Sequence, residues 1–128
     1  MKSKKRILIV DDNNDIRNAI SEYLLIEGFE IGIAENGVNA LKLFIDKDFD
    51  LVLTDFQMPY MDGLKLACEI KKVNPKTLII IMSGNIHTNL QTKYVADYII
   101  AKPFGFDKIH NLINYAFGSE AQKQPQFN

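Results

Sequence analysis

Four short apolar runs in this chain each stop at a polar residue, and the residues at which they stop suit one another chemically. Ile7-Leu8-Ile9-Val10 runs into Asp11-Asp12, Leu51-Val52-Leu53-Thr54 into Asp55, Leu78-Ile79-Ile80-Ile81-Met82 into Ser83, and Tyr98-Ile99-Ile100-Ala101 into Lys102-Pro103. Three carboxylates held together repel one another, and in a partly desolvated site that cost either raises a pKa or recruits a cation. The donors are hard oxygens, with no cysteine or histidine beside the acid pair, which selects magnesium over zinc and leaves manganese as second choice. Lys102 cannot ligate a metal, but its ammonium can balance Asp55 and then pair with an oxygen of a transferred phosphoryl group. Ser83 offers a hydroxyl to a second oxygen. An aspartate so surrounded is equipped to attack phosphorus and form an aspartyl phosphate.

Backbone groups extend the set. Gly84 lets an N–H approach a phosphoryl group with no side chain in the way, and the N–H of Gln57 can do the same while its carbonyl faces the metal. The side chains of Gln57 and Asn85 flank that approach and are expected to tune the lifetime of a phosphorylated state. Lys102-Pro103 is a candidate cis peptide, which would aim the lysine into the pocket.

These residues meet only if the runs are parallel strands sharing one sheet edge. Unalternating apolar runs of this length suit parallel strands buried on both faces, and the segments between them carry helical periodicity. In residues 14–27, Ile16, Ile20, Tyr23, Leu24 and Leu25 form an apolar face, with Gly28 where a helix would end in a left-handed residue. Residues 30–34 read as a second strand and Asn36-Gly37 as a turn. Val38, Leu41, Phe44 and Ile45 give the second helix its stripe. A third helix follows Gly63 and runs to about Val73, stopped by Asn74-Pro75. Residues 84–97 support only a short or irregular fourth helix, since Asn85, Thr88, Asn89 and Thr92 are poor helix formers. Ile109, Leu112, Ile113, Ala116 and Phe117 mark a last helix ending at Gly118. The reading is an α/β fold: a doubly wound five-stranded parallel sheet with helices on both faces, over residues 1–118, followed by a polar, disordered tail at 119–128. Ligands of such sheets sit beyond the carboxyl ends of the strands, where Asp11, Asp12, Asp55, Ser83 and Lys102 fall.

A chain of 128 residues, 47% hydrophobic, makes one domain and buries its core without staples. Its net charge of -1 supplies no field for direct nucleic-acid binding, and the cluster Lys2, Lys4, Lys5 and Arg6 reads as a solvated start to the first strand. The single Cys68 excludes an internal disulfide and reads as a small buried residue on a helix. No run approaches the ~18 apolar residues of a membrane span, and the basic start leads into too short an apolar run for a signal peptide, so no membrane insertion and a cytoplasmic location are expected. His87 and His110 lie away from the strand ends and are not expected to be ligands. Met58-Pro59 and Asp62-Gly63 read as turn chemistry that shapes a loop.

Rival chemistries fail on particular residues. A flavin carrier needs a hydroxyl-rich or glycine-rich phosphate loop after the first strand, and here that loop is Asp11-Asp12-Asn13-Asn14. A haloacid-dehalogenase-type phosphatase places a second acid two residues after its nucleophile, and Asp55-Phe56-Gln57 lacks it.

The ordered set resembles the receiver domain of two-component response regulators: Asp11-Asp12, Asp55 with Met58-Pro59 and Asp62-Gly63, Ser83-Gly84, and Lys102-Pro103-Phe104. The resemblance covers Lys5 to about Phe117. It implies the flavodoxin-like receiver fold in a stand-alone, chemotaxis-regulator-like form. It further implies that Asp55 takes phosphate from a histidine kinase or histidine phosphotransfer protein, that Asp12 binds magnesium directly and Asp11 through water, and that Ser83 and Lys102 sense the phosphoryl group. Such a domain is a phosphoaccepting switch rather than an ordinary enzyme. With no output domain expected after the last helix, it would act on an unknown downstream protein. The alternative is a receiver-like docking module that works without phosphorylation. Two departures bear on the switch. Ile99 stands where the family usually has tyrosine or phenylalanine, with Tyr98 pointing to the opposite face, and the stretch from Ser83 to Lys102 is a few residues shorter than usual. Phosphorylation is therefore expected to be retained, with a remodelled output face.

Overall fold

Ile7 and Ile9 face one side of the sheet, Leu8 and Val10 face the other, and all four are fully buried. A strand can be apolar on both faces only where helices cover both. The computed structural model describes residues 4–84 and 94–122. Strands β1 (Arg6–Val10), β2 (Glu30–Ala34), β3 (Leu51–Asp55) and β4 (Leu78–Ser83) alternate with helices α1 (Asn14–Ile26), α2 (Gly37–Asp46) and α3 (Gly63–Val73), and β5 (Tyr98–Ala101) leads to α4 (Phe106–Gln122). The strands form one sheet in the order β2-β1-β3-β4-β5, every pairing parallel. Ile20 and Leu24 of α1 and Ile109 and Ile113 of α4 pack on the face of Ile7, Ile9, Ile80 and Met82. Phe44 of α2 and Leu66 and Ile70 of α3 pack on the face of Leu8, Val10, Ile79 and Ile81. This is the doubly wound five-stranded α/β architecture expected from the runs.

Local chemistry sets the helix starts. The side chains of Asn13, Asn36 and Asp62 each accept a hydrogen bond from the backbone N–H three residues on, at 3.0, 2.8 and 2.8 Å, capping α1, α2 and α3. Gly28 follows α1 at φ +102°, the left-handed stop its position predicts.

Several expectations need correction. Leu25, Val38 and Ile45 lie outside the buried stripes and are 54%, 39% and 63% exposed. The seam of α2 is made by Gly37, Ala40 and Phe44, whose three- and four-residue spacing outweighs the larger hydrophobes beside them. Cys68 is on α3 as expected but only half-buried. The last helix continues past Gly118 to Gln122: a glycine costs a helix about 1 kcal/mol without ending it. The expected domain edge at 118 thus falls inside α4, and the rest of the tail, 123–128, lies outside the described residues. The irregular fourth helix also falls on undescribed positions, 85–93, which include Asn85 and His87.

At the end of the sheet remote from the acids, Lys71 of α3 fastens the start of β5. Its Nζ donates to the Thr77 carbonyl at 2.8 Å and to Asp97 Oδ2 at 3.0 Å, and the same carboxylate oxygen accepts the Ile79 N–H at 2.8 Å.

Candidate functional site

After β1 the chain crosses to β2 on one side, and from β3 onward it builds the sheet on the other, so a crevice opens at the carboxyl ends of β1 and β3. Asp11 and Asp12 leave β1 at this point and Asp55 ends β3. Each of the three acids places a carboxylate oxygen within 4.8 Å of the others'. Asp11 is fully buried and Asp55 is 9% exposed, whereas Asp12 is exposed. Lys102, just beyond β5, sets its Nζ 3.1 Å from Asp55 Oδ1 and 3.5 Å from Asp11 Oδ2. Its backbone N–H donates to the Ser83 carbonyl at 2.8 Å, which ties the ends of β4 and β5 together. Ser83 is buried. The Lys102–Pro103 peptide is cis.

Three carboxylates face one ammonium, so negative charge is in excess. Burial is the largest influence on Asp55 and raises its pKa above the usual carboxylate value. The Asp11 charge raises it further, and the hydrogen-bonded Lys102 ammonium opposes both without overcoming them. Asp11 divides its oxygens between two environments. Oδ1 accepts the Asn13 N–H at 2.9 Å, while Oδ2 is buried with no hydrogen-bond partner among the described residues. Among the described residues the only ammonium facing it, that of Lys102, stands 3.5 Å away and is nearer to Asp55, so the cost of burying this oxygen is only partly offset, and a divalent cation would satisfy it. The all-oxygen donor set fits magnesium.

The loop from β3 to α3 supports Asp55 from behind. A Cβ on Gly63 would stand 2.3 Å from the Asp55 carbonyl oxygen, so the chain passes too close there for any other residue. The Gly63 N–H donates to the Phe56 carbonyl at 2.7 Å and the Phe56 N–H to the Met82 carbonyl at 2.8 Å. Buried Thr54 donates its hydroxyl to the Asp55 carbonyl at 3.0 Å. In the same loop Tyr60 adopts φ 72°, with the Met61 N–H donating to the Pro59 carbonyl at 2.8 Å. That is a γ-turn of the rare, strained hand.

Of the residues singled out from sequence, the structure brings Asp11, Asp12, Asp55 and Lys102 together and places Ser83 on the same edge. Gln57 is exposed on the β3–α3 loop. A Cβ on Gly84 would meet nothing within 4 Å, so Gly84 borders open space. His110 is apart from the site: its Nδ1 lies 3.1 Å from Glu27 Oε1 and its Nε2 3.0 Å from Asn114 Nδ2. Tyr98 and Ile99 point to opposite faces as expected, Tyr98 with its ring against Tyr115 at 6.0 Å and Ile99 packed on the α2–α3 side. Sequence reasoning passed over Thr54, the close approach at Gly63, and Arg17, whose guanidinium donates to the Asp11 carbonyl at 2.8 Å. A polar residue inside an otherwise apolar run, and a lone cation in the first turns of the helix after an acid pair, were the available signals.

A family model described as the response regulator receiver domain matches residues 7–114. The chain is 35% identical over 130 residues to the regulatory protein AtoC of Escherichia coli, covering 97% of this chain and 28% of AtoC. It is 36% identical over 113 residues to the chemotaxis protein CheY of Bacillus subtilis, covering 85% of this chain and 94% of CheY. It thus spans nearly all of CheY but about a third or less of the length of AtoC and other curated relatives. Among solved structures, the response regulator TrrA of Thermotoga maritima in complex with Mg2+-BeF matches with TM-score 0.80 and 40% identity, covering 87% of this chain and 97% of TrrA. TrrA has also been solved in complex with the histidine kinase ThkA.

Proposed function

The chain belongs to the response regulator receiver domain family of two-component systems, and from that premise we propose that Asp55 is its phosphoacceptor. An Asp55 carboxylate oxygen attacks the phosphorus of a phosphohistidine on a histidine kinase or phosphotransfer protein. The P–O bond forms as the P–N bond breaks, and the imidazole nitrogen leaves with the electron pair. Asp11, Asp12, Asp55 and the Gln57 carbonyl would hold magnesium, which neutralises charge on the phosphoryl oxygens when bound; manganese has the same ligand preferences. Lys102 pairs with one phosphoryl oxygen, Ser83 donates to another, and the N–H groups of Gln57 and Gly84 complete the cradle.

The observation that carries this reading is the meeting of Lys102 Nζ with Asp55 Oδ1 at 3.1 Å beside two further carboxylates. The Mg2+-BeF bound to TrrA supports it, since beryllofluoride has the tetrahedral shape of a phosphoryl group. The domain acts as a switch rather than as an enzyme on an external substrate, and it works in the cytoplasm through a downstream protein, without direct nucleic-acid contact. No described helix is long and apolar enough to cross a membrane.

Incubation with acetyl phosphate and magnesium, followed by intact mass measurement, tests the reading. A gain of one phosphoryl mass, absent in Asp55→Asn, is expected. No gain under conditions that preserve acyl phosphates would favour the phosphorylation-independent docking module. Ile99 offers no ring to turn inward, so its amide is expected to shift little when beryllofluoride and magnesium are added. A response there as large as at the site would count against a remodelled output face.

A further inference from the structure

Arg17 touches neither Asp55 nor any carboxylate oxygen of the site, yet it is bound to the backbone that carries the acid pair. One terminal nitrogen, Nη1, donates to the Asp11 carbonyl at 2.8 Å, and the other, Nη2, meets the side-chain oxygen of Asn14. Arg17 is half-buried and sits one turn inside α1, its own N–H donating to the Asn13 carbonyl at 3.0 Å. The planar guanidinium therefore spans the β1–α1 junction as a fixed fork, from the last buried residue of the turn to the first residue of the helix. On the other side of the same turn, the Asn13 N–H fixes Asp11 Oδ1. Asp12 lies between these fastenings, with its carboxylate directed to the cluster.

We infer that Arg17 is a positioning residue for the acid pair, holding the peptide of Asp11 so that Asp11 Oδ2 and the Asp12 carboxylate stay aimed at a shared cation. The inference rests on the reading of the cluster as a magnesium site. It differs in sign from a simple charge effect. A guanidinium near a divalent cation is repulsive, so by Coulomb's law alone its removal would tighten binding. If the fork orders the ligands, its removal loosens binding instead, on the scale of about tenfold that is typical when groups orienting metal ligands are lost.

Magnesium titration by calorimetry in low salt, on the unphosphorylated chain, separates the two. Arg17→Met is expected to raise the magnesium Kd by about tenfold. Arg17→Lys, which keeps the charge but not the fork, should fall between it and wild type, and Asn14→Ala should weaken binding less than Arg17→Met. The carbonyl carbon resonance of Asp11 in the metal-free state should move in both Arg17 variants, reporting the lost hydrogen bond directly. An Arg17→Met chain that binds magnesium as tightly as wild type, or more tightly, overturns the inference. If that variant does not fold, an unchanged Kd in Arg17→Lys overturns it instead. A wild-type chain with no magnesium affinity sinks the metal reading as well, so the two failures are told apart by the wild-type titration.

Discussion

Lys102 reaches Asp55 across an intervening strand: their charged groups are 3.1 Å apart although β5 and β3 are separated by β4. The contact is made beyond the strand ends, where β4 has already finished in Ser83 and its carbonyl takes the Lys102 N–H. One ammonium therefore serves two acids from different strands, Asp55 and Asp11, and it leaves them under-neutralised.

That imbalance has a pH signature. A carboxyl whose pKa is raised by folding keeps its proton longer in the folded state than in the unfolded one, so its contribution favours the fold at low pH. The contribution is lost as pH rises from the ordinary aspartate value through the raised folded value. In the absence of divalent cations, Asp55→Asn is expected to be more stable than wild type at pH 7, where the raised pKa makes the Asp55 charge a cost of folding. The difference should shrink below the ordinary aspartate pKa. Urea unfolding at pH 7 and pH 3.5 checks both the sign and its disappearance.

Magnesium should offset the same cost. At a hundred times its Kd, a ligand that binds only the folded chain adds about 2.7 kcal/mol. Thermal melts with magnesium are expected to rise with its concentration and to return to the metal-free value on chelation. In Asp12→Ala, which removes an exposed carboxylate and no buried contact, most of that increment should vanish while the metal-free Tm barely moves. An Asp12→Ala chain that responds to magnesium like wild type would remove Asp12 from the ligand set.

Gly63→Ala tests the support behind Asp55. The added carbon would stand 2.3 Å from the Asp55 carbonyl oxygen, and because that neighbour is backbone it cannot rotate away. A cost of about 2–3 kcal/mol is expected in denaturant unfolding, accompanied by weaker magnesium binding as Asp55 is displaced. A stability loss with unchanged magnesium affinity would mean that the loop yields and Asp55 does not.

Tyr60 carries strain that the ring does not repay, since the residue is 88% exposed at φ 72°. Tyr60→Gly should raise stability by about 0.5–1 kcal/mol, the left-handed cost relieved less the extra unfolded-state freedom of glycine. Equal or lower stability in the glycine variant, measured by urea midpoint, would show that the ring makes up the difference through contacts.

The strands and the principal acids were legible because β1, β3 and β4 are buried on both faces, so their sequences are uninterrupted and their ends are abrupt. The helix faces were less so. Val38 and Ile45 look like core by size, but α2 turns Gly37 and Ala40 to its neighbours, and small residues leave little signal in a hydrophobic pattern. Gly63 could be assigned to a turn, but the carbonyl it passes belongs to Asp55, eight positions earlier, and that crossing is tertiary. Arg17 is only half legible: a lone cation early in α1, after the acid pair, hints at a role. Its partner is a backbone carbonyl, which every residue has, so no spacing of side chains names that partner.

The fastening of Asp97 by Lys71 and the Ile79 N–H, with the Lys102 N–H held by the Ser83 carbonyl at the other end, gives β5 the mechanics of a beam pinned at both ends. The beam is four residues long and paired to β4 along its length, with one pin on the far side of the molecule and the other just short of the acids. A change in what the Lys102 ammonium pairs with is therefore taken up first by the lysine's own flexible stem, and it reaches the strand only through the pinned end. Loosening the remote pin would free the start of β5 without altering a single group at the acids.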